Sequence, residues 1–148
     1  MDFCNNKEAF YQDALRRVNH PGQFSAYSGI TVTRLDERYA EGVLDVTDKN
    51  LNPHGIVHGG CLCTLADTVA GMAVVTCGYK CVTMDSTMSF LRPATSSRIF
   101  CVSRAKKVGK TVCVFEAELS DPEGKLIACG TYTFYVLGPL ELEKFSQS

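Results

Sequence analysis

GGCLCTLADTVAGMAVVTCG, residues 59–78, is the stretch on which the fold turns. It is apolar on nearly every face, opens on two glycines and carries a single charge, Asp67, near its middle. A helix that is hydrophobic all round is a buried helix, so the sequence predicts a central helix enclosed by the rest of the chain. A membrane span is the competing reading. The uninterrupted stretch is short for that, and an aspartate near the bilayer centre would cost about 2.5–3.5 kcal/mol, so the span is rejected.

Downstream the pattern changes to period two. Residues 81–91 place Val82, Met84, Met88 and Phe90 on one face and Thr83, Asp85, Thr87 and Ser89 on the other, as a strand with one wet or functional face would. Further strands are expected over 97–108, over 111–119 with Cys113, Phe115, Ala117 and Leu119 opposite Glu116 and Glu118, and over 126–137 after a turn at 121–124. Hairpin-length connections among these four strands predict an antiparallel sheet. Upstream, residues 6–18 read as a short amphipathic helix with an Asn cap, an early Glu and late arginines. Residues 28–36 and 39–47 read as a hairpin, and 47–58, with Pro53 and Gly55, as a loop. The class is therefore α+β: an antiparallel sheet of about six strands wrapped around a central hydrophobic helix. A single domain is expected over 1–148, with its N-terminal helix at 6–18, its core at 28–137 and a frayed tail at 141–148.

The 148 residues are 45% hydrophobic and 21% charged with a net charge of −1, an ordinary globular composition that excludes a strongly basic nucleic-acid binder. Charge is nevertheless uneven. Residues 86–115 contain no acid but hold Arg92, Arg98, Arg104, Lys106, Lys107 and Lys110. Such a run is most often a solvated strand face, although a polyanionic small ligand would give it a purpose. The eight cysteines include no C-x2-C pair, so a zinc site is not expected. Nothing at the start of the sequence reads as a leader, and reduced thiols in a cytoplasmic protein are the expectation.

Asp67 is the most informative residue. No Lys, Arg or His lies between Cys61 and Tyr79 to pair with it, so a hydrogen bond from Thr64 or Thr68 is the structural explanation and a chemical role the functional one. The glycines favour the second. A helix that starts on Gly59 and Gly60 leaves backbone N–H groups pointing out of its first turn, where the macrodipole is positive, which makes an anion or oxyanion site. Donors that polarise a carbonyl and a carboxylate that attacks it or activates water are the parts an acyl-transfer enzyme needs. Gly59 and Asp67 lie eight residues apart, about 12 Å along a helix, so one carbonyl cannot touch both in the same chain. Two helices packed antiparallel about a two-fold axis would bring Gly59 of one subunit to Asp67 of the other. A homodimer with shared sites is inferred.

At these residues the sequence resembles a known family. Asn52, His58-Gly59-Gly60 and Asp67, followed by Thr83, Asp85 and the run Ser89-Phe90-Leu91-Arg92-Pro93, are similar to the hotdog-fold acyl-CoA thioesterases of the PaaI-like group over roughly residues 28–137. The resemblance implies that Gly59 donates its N–H to the thioester oxygen with help from Asn52. It implies that Asp67 of the partner subunit is nucleophile or general base, and that Thr83 holds the carboxylate or the water. It further implies a tetramer of two dimers, with no metal and no cofactor beyond the coenzyme A of the substrate. His54, His58 and Gly60 are expected in the loop and pocket wall. Arg92, Arg104, Lys106 and Lys107 are expected as partners for the coenzyme A phosphates; strict strand alternation would put Arg104 and Lys106 on one face and Lys107 on the other. Two alternatives stay open, a hotdog hydratase or dehydratase and a non-catalytic acyl-CoA-binding module. The acyl group is not legible.

Overall fold

The computed structural model describes residues 6–140; Cys4 and the segment 141–148, where a frayed tail was expected, lie outside them. Helix α1 (Lys7–Val18) starts where the Asn6 side chain accepts the Ala9 N–H, with Glu8 in its first turn and Arg16 and Arg17 in its last, each placed to complement the helix dipole. It buries Phe10, Tyr11 and Ala14. A one-turn helix α2 (Phe24–Tyr27), which the sequence did not announce, leads into strand β1 (Ile30–Asp36). Strand β2 (Tyr39–Asp45) completes the expected hairpin through a turn at Arg38, whose φ is 55°. A short 3-10 turn (Asp48–Asn50) and a loop precede helix α3 (Gly59–Val75), and strands β3 (Tyr79–Phe90), β4 (Arg98–Val108), β5 (Val112–Ser120) and β6 (Leu126–Pro139) follow.

The six strands form one antiparallel sheet in the order β1-β2-β4-β5-β6-β3, and α3 packs against all six. This is the expected architecture. Leu62, Leu65, Ala66, Val69, Ala70, Ala73 and Val74 are buried, a spacing of three and four that marks one face of the helix. Their partners include Ile99, Cys101, Phe115, Leu119, Tyr132 and Phe134 on the inner face of the sheet. Approach is close at Gly42, where a Cβ would stand 2.6 Å from Val69 Cγ2.

Two expectations need correction. The central helix is not enclosed on all sides by its own chain: Thr64, Asp67, Thr68, Gly71 and Val75 form a second face that stays partly open. Small apolar residues on that face made it look like core, and none of the described residues covers it. The alternation in β3 also breaks. Thr83 stands opposite Phe134 and Asp85 opposite Thr133, leaving Met84 as an unpaired bulge residue. Directly opposed residues share a face, so Thr83 turns inward with buried Phe134 while Asp85 turns outward. After the bulge, Ser86, Met88 and Phe90 face α3 opposite Tyr132, Gly130 and Ala128. The inward set is thus Cys81, Thr83, Ser86, Met88 and Phe90, not Val82, Met84, Met88 and Phe90.

Candidate active site

Everything before α3 is anchored to present its first turn. Asn50 is buried; its Nδ2 donates to Ser28 O at 2.8 Å and to Cys61 Sγ, and its Oδ1 accepts the Thr47 N–H at 2.8 Å. His58 then donates its own N–H to Asn50 O at 2.8 Å. Sequence reasoning missed Asn50, which carries no chemistry and is recognisable only as the buried amide satisfying three segments at once.

His58 caps the helix. Its Nδ1 accepts the Gly60 N–H at 2.8 Å, and its carbonyl accepts the N–H groups of Cys61 and Leu62. Of the four orphan donors at the helix start, those of His58, Gly60 and Cys61 are therefore engaged, and Gly59 N–H is the one with no acceptor among the described residues. The expectation that both glycines offer free donors is corrected: the imidazole cap closes Gly60. A Cβ on residue 60 would lie 2.9 Å from His58 Nδ1, so the second glycine makes room for the cap.

Gly59 opens onto a cleft of about 330 Å³ lined also by Asn52, Ile56, Leu62, Phe90 and Arg92. The Phe90 ring lies 3.5 Å from the position a Gly59 Cβ would take. Asn52 Oδ1 closes the loop by accepting the His54 N–H at 2.9 Å, which leaves its Nδ2 as the amide donor of the cleft wall. Arg92 Nη1 donates to Leu126 O at 2.6 Å, a bond that pins the start of β6 to the strand-end loop. His54 sits exposed on the turn, and its side chain does not line this cleft. His58 and Gly60 instead border a broader groove with Phe24, Tyr27 and Thr64.

Asp67 lies eight residues along α3 from Gly59, about 12 Å at 1.5 Å per residue. Its Oδ1 accepts the Thr83 hydroxyl at 2.6 Å. The local partners expected for it are otherwise engaged or absent: Thr64 Oγ1 donates to Gly60 O at 2.9 Å. The bulge at Met84 explains why a strand residue holds the carboxylate, since it is what aims Thr83 inward. Beneath, buried Tyr132 donates its hydroxyl to Cys63 O at 3.2 Å, and burial raises its ionisation above the ordinary tyrosine range. The Cys61 and Cys63 thiols are likewise raised by burial, so neither is poised as a thiolate nucleophile.

The structure brings together Gly59, Asn52 and Arg92 at one place and Asp67 and Thr83 at another. It does not bring Arg104, Lys106 and Lys107 to either. They stand at the opposite end of the molecule, beside the C-terminal end of α3. Among the described residues no group of three or more His, Cys, Asp or Glu side chains could hold a metal, and no helix is long and apolar enough to cross a membrane.

A six-stranded antiparallel sheet packed on a long central helix, with one open N–H donor at the helix start and a carboxylate further along it, is the hotdog architecture. The chain belongs to the thioesterase superfamily, whose family model matches residues 54–128, and is a thioester hydrolase of the hotdog fold. It is similar to the acyl-coenzyme A thioesterase PaaI of Escherichia coli, 32% identical over 101 residues that span 68% of this chain and 72% of that one. The solved structure of the E. coli PaaI protein from the phenylacetic acid degradation operon superposes with a TM-score of 0.80 at 27% identity, covering 86% of this chain and 93% of that one. Thioesterase HI1161 from Haemophilus influenzae superposes with a TM-score of 0.79 at 25% identity, covering 86% and 90%.

Proposed function

We propose that the chain hydrolyses acyl-CoA thioesters to the free acid and coenzyme A, at sites shared between two copies. The observation that carries this reading is the division of labour along α3: one open N–H at Gly59, and a carboxylate held by Thr83 about 12 Å away. Gly59 N–H and Asn52 Nδ2 polarise the thioester carbonyl and take up the charge that develops on its oxygen. In one route the Asp67 carboxylate of the partner subunit deprotonates the water that attacks the carbonyl carbon, the C–S bond breaks and the departing thiolate takes up that proton. In the other the carboxylate attacks the carbon directly, the thiolate leaves, and a water then hydrolyses the resulting anhydride, releasing the free acid and Asp67 and giving its proton to the thiolate. Water and protein groups suffice, with no cofactor. The open face of α3 and the long edge strand β3, whose second side has no neighbour among the described strands, support the dimer. The relatives' substrate, acyl-CoA, supports the substrate class. The resemblance that suggested a tetramer also supports pairing of two such dimers.

Release of free thiol from a panel of aryl, short-chain and long-chain acyl-CoAs tests the activity. Turnover of at least one class, lost by about 10²-fold or more in Asp67→Asn with substrate binding kept, is the expected result. A hydratase would instead need a His and an acid converging on the α and β carbons, and the two loop histidines are otherwise disposed: His54 is exposed on a turn and His58 Nδ1 is spent on the cap of α3.

A further inference from the structure

The broad groove beside the first turn of α3 takes no part in the chemistry assigned so far. Helix α2 contributes Phe24 and Tyr27 to it, with side chains 70% and 73% exposed, and Leu51 and Cys61 line it as well. No residue of α2 is buried. Two rings left in water on a one-turn helix are a cost that an apolar occupant would recover. The groove is also built into the frame of the site. Asn50 Nδ2 donates to Ser28 O, just past α2, at 2.8 Å and to Cys61 Sγ, in the first turn of α3, at 3.3 Å. One buried amide thus holds the aromatic wall in register with the Gly59 donor.

The hydroxyls that line the groove are spent within the chain. Ser28 Oγ donates to Phe24 O at 2.9 Å, Thr64 Oγ1 to Gly60 O at 2.9 Å and Thr47 Oγ1 to Asn50 Oδ1 at 3.3 Å. The two charged side chains, Asp48 and Lys49, are opposite in sign. Lys49 Nζ lies 5.6 Å over the Tyr27 ring, so its stem extends the apolar wall. A charged or hydrogen-bonding occupant finds few partners here, whereas an apolar one finds two rings. The volume is 1080 Å³, more than three times the 330 Å³ of the Gly59 cleft. An acetyl or a single aryl group would leave most of it unfilled.

We propose that Phe24 and Tyr27 are specificity-determining residues that select a long aliphatic acyl chain, which lies in this groove while its thioester carbonyl meets Gly59. The inference rests on the acyl-CoA reading above. Gly59 lines the narrow cleft and Gly60 the broad groove, so a carbonyl held at Gly59 N–H sits where the two spaces meet. The narrow cleft, with Asn52 and Arg92 on its wall, suits the amide-bearing thiol arm, and the groove takes the chain. Thr64 belongs both to the groove and to the open face of α3, so the chain runs toward the seam where a second copy brings Asp67. Each methylene buried there raises kcat/KM by up to about fourfold.

Two measurements on the native protein test this: thiol release from acetyl-, phenylacetyl- and dodecanoyl-CoA, each below its micellar concentration, and calorimetric titration with dodecanoate. kcat/KM should be highest for dodecanoyl-CoA, and dodecanoate should bind. Phe24→Ala/Tyr27→Ala should lower both the dodecanoyl-to-acetyl ratio of kcat/KM and the affinity for dodecanoate by about tenfold or more. Phe24→Leu/Tyr27→Leu, which keeps an apolar wall, should restore most of both. Both rings are exposed, so folding does not depend on them, and circular dichroism of the variants checks this. An unchanged ratio in the alanine variant, or a wild type no faster on dodecanoyl- than on acetyl-CoA, overturns the proposal and leaves hydrolysis standing. If no acyl-CoA is turned over, the hydrolytic reading is the one that fails, and dodecanoate then decides the groove alone. Binding that the alanine variant loses upholds it as a seat for an apolar chain; absent or unaltered binding overturns it.

Discussion

His58 Nδ1 accepts the N–H of Gly60 at 2.8 Å, and this one bond decides which donor at the start of α3 remains open. Removing it in His58→Ala should cost about 1 kcal/mol of stability, the usual worth of a side-chain cap, whereas His58→Asn keeps an acceptor and should cost less. Gly60→Ala, whose Cβ would press on the imidazole, should resemble His58→Ala. Thermal melts of the three variants check this; equal melting of His58→Ala and His58→Asn would contradict the cap.

Thr83 rather than Asp85 serves Asp67, because the bulge at Met84 turns the two side chains to opposite faces. Thr83→Ala should lower kcat about tenfold, the worth of one hydrogen bond to a charged group, with Thr83→Ser near normal. Asp85→Asn should stay within about twofold of wild type. Steady-state rates that reversed this order would mean the register of β3 is wrong.

Gly42 lets α3 lie against β2. A Cβ there would meet Val69 Cγ2 at 2.6 Å and the Thr31 carbonyl at 3.1 Å, and the backbone cannot yield as a flexible side chain would. Gly42→Ala should destabilise the fold by about 1–3 kcal/mol, measured by denaturant unfolding, and Gly42→Ala/Val69→Ala should recover part of the loss.

Burial pushes the Cys81 thiol up to about 12 from its ordinary 9. The folded state therefore favours the neutral thiol, and this contribution is fully present below the unfolded value near 9 and is lost as pH rises from there toward 12. Melting temperature should fall more steeply above pH 9 in the wild type than in Cys81→Ala. Parallel curves would show that the thiol is not protected.

Much of this was legible in the sequence. The period-two strands, the Asn6-capped helix and the hairpin follow from patterning and turn chemistry, and Gly59 and Asp67 stood out because a charge and two glycines in an apolar helix violate local rules. What escaped detection shares one cause. The bulges at Met84 and Lys106 are properties of how two strands register, invisible when each strand is read alone, and each reversed the face of the residues beyond it. The open face of α3 escaped for a similar reason: Gly71 and Val75 read as core residues, and only the packing shows that this chain's sheet covers the other side.

The central claim is that each site takes Gly59 from one subunit and Asp67 from the other, and mixing two inactive variants tests it directly. Gly59→Pro removes the open donor at a first helical position, and the preceding residue His58 already has the extended backbone, φ −60° and ψ 133°, that a following proline requires. Asp67→Asn removes the carboxylate. Circular dichroism and the oligomeric state of Gly59→Pro establish first that it folds and pairs. Refolded together, the two variants pair at random, half the dimers are mixed, and each mixed dimer holds one intact site of two. Roughly a quarter of wild-type activity should therefore return. If both groups came from the same chain, every site would carry a lesion, and the mixture would be as inactive as its components.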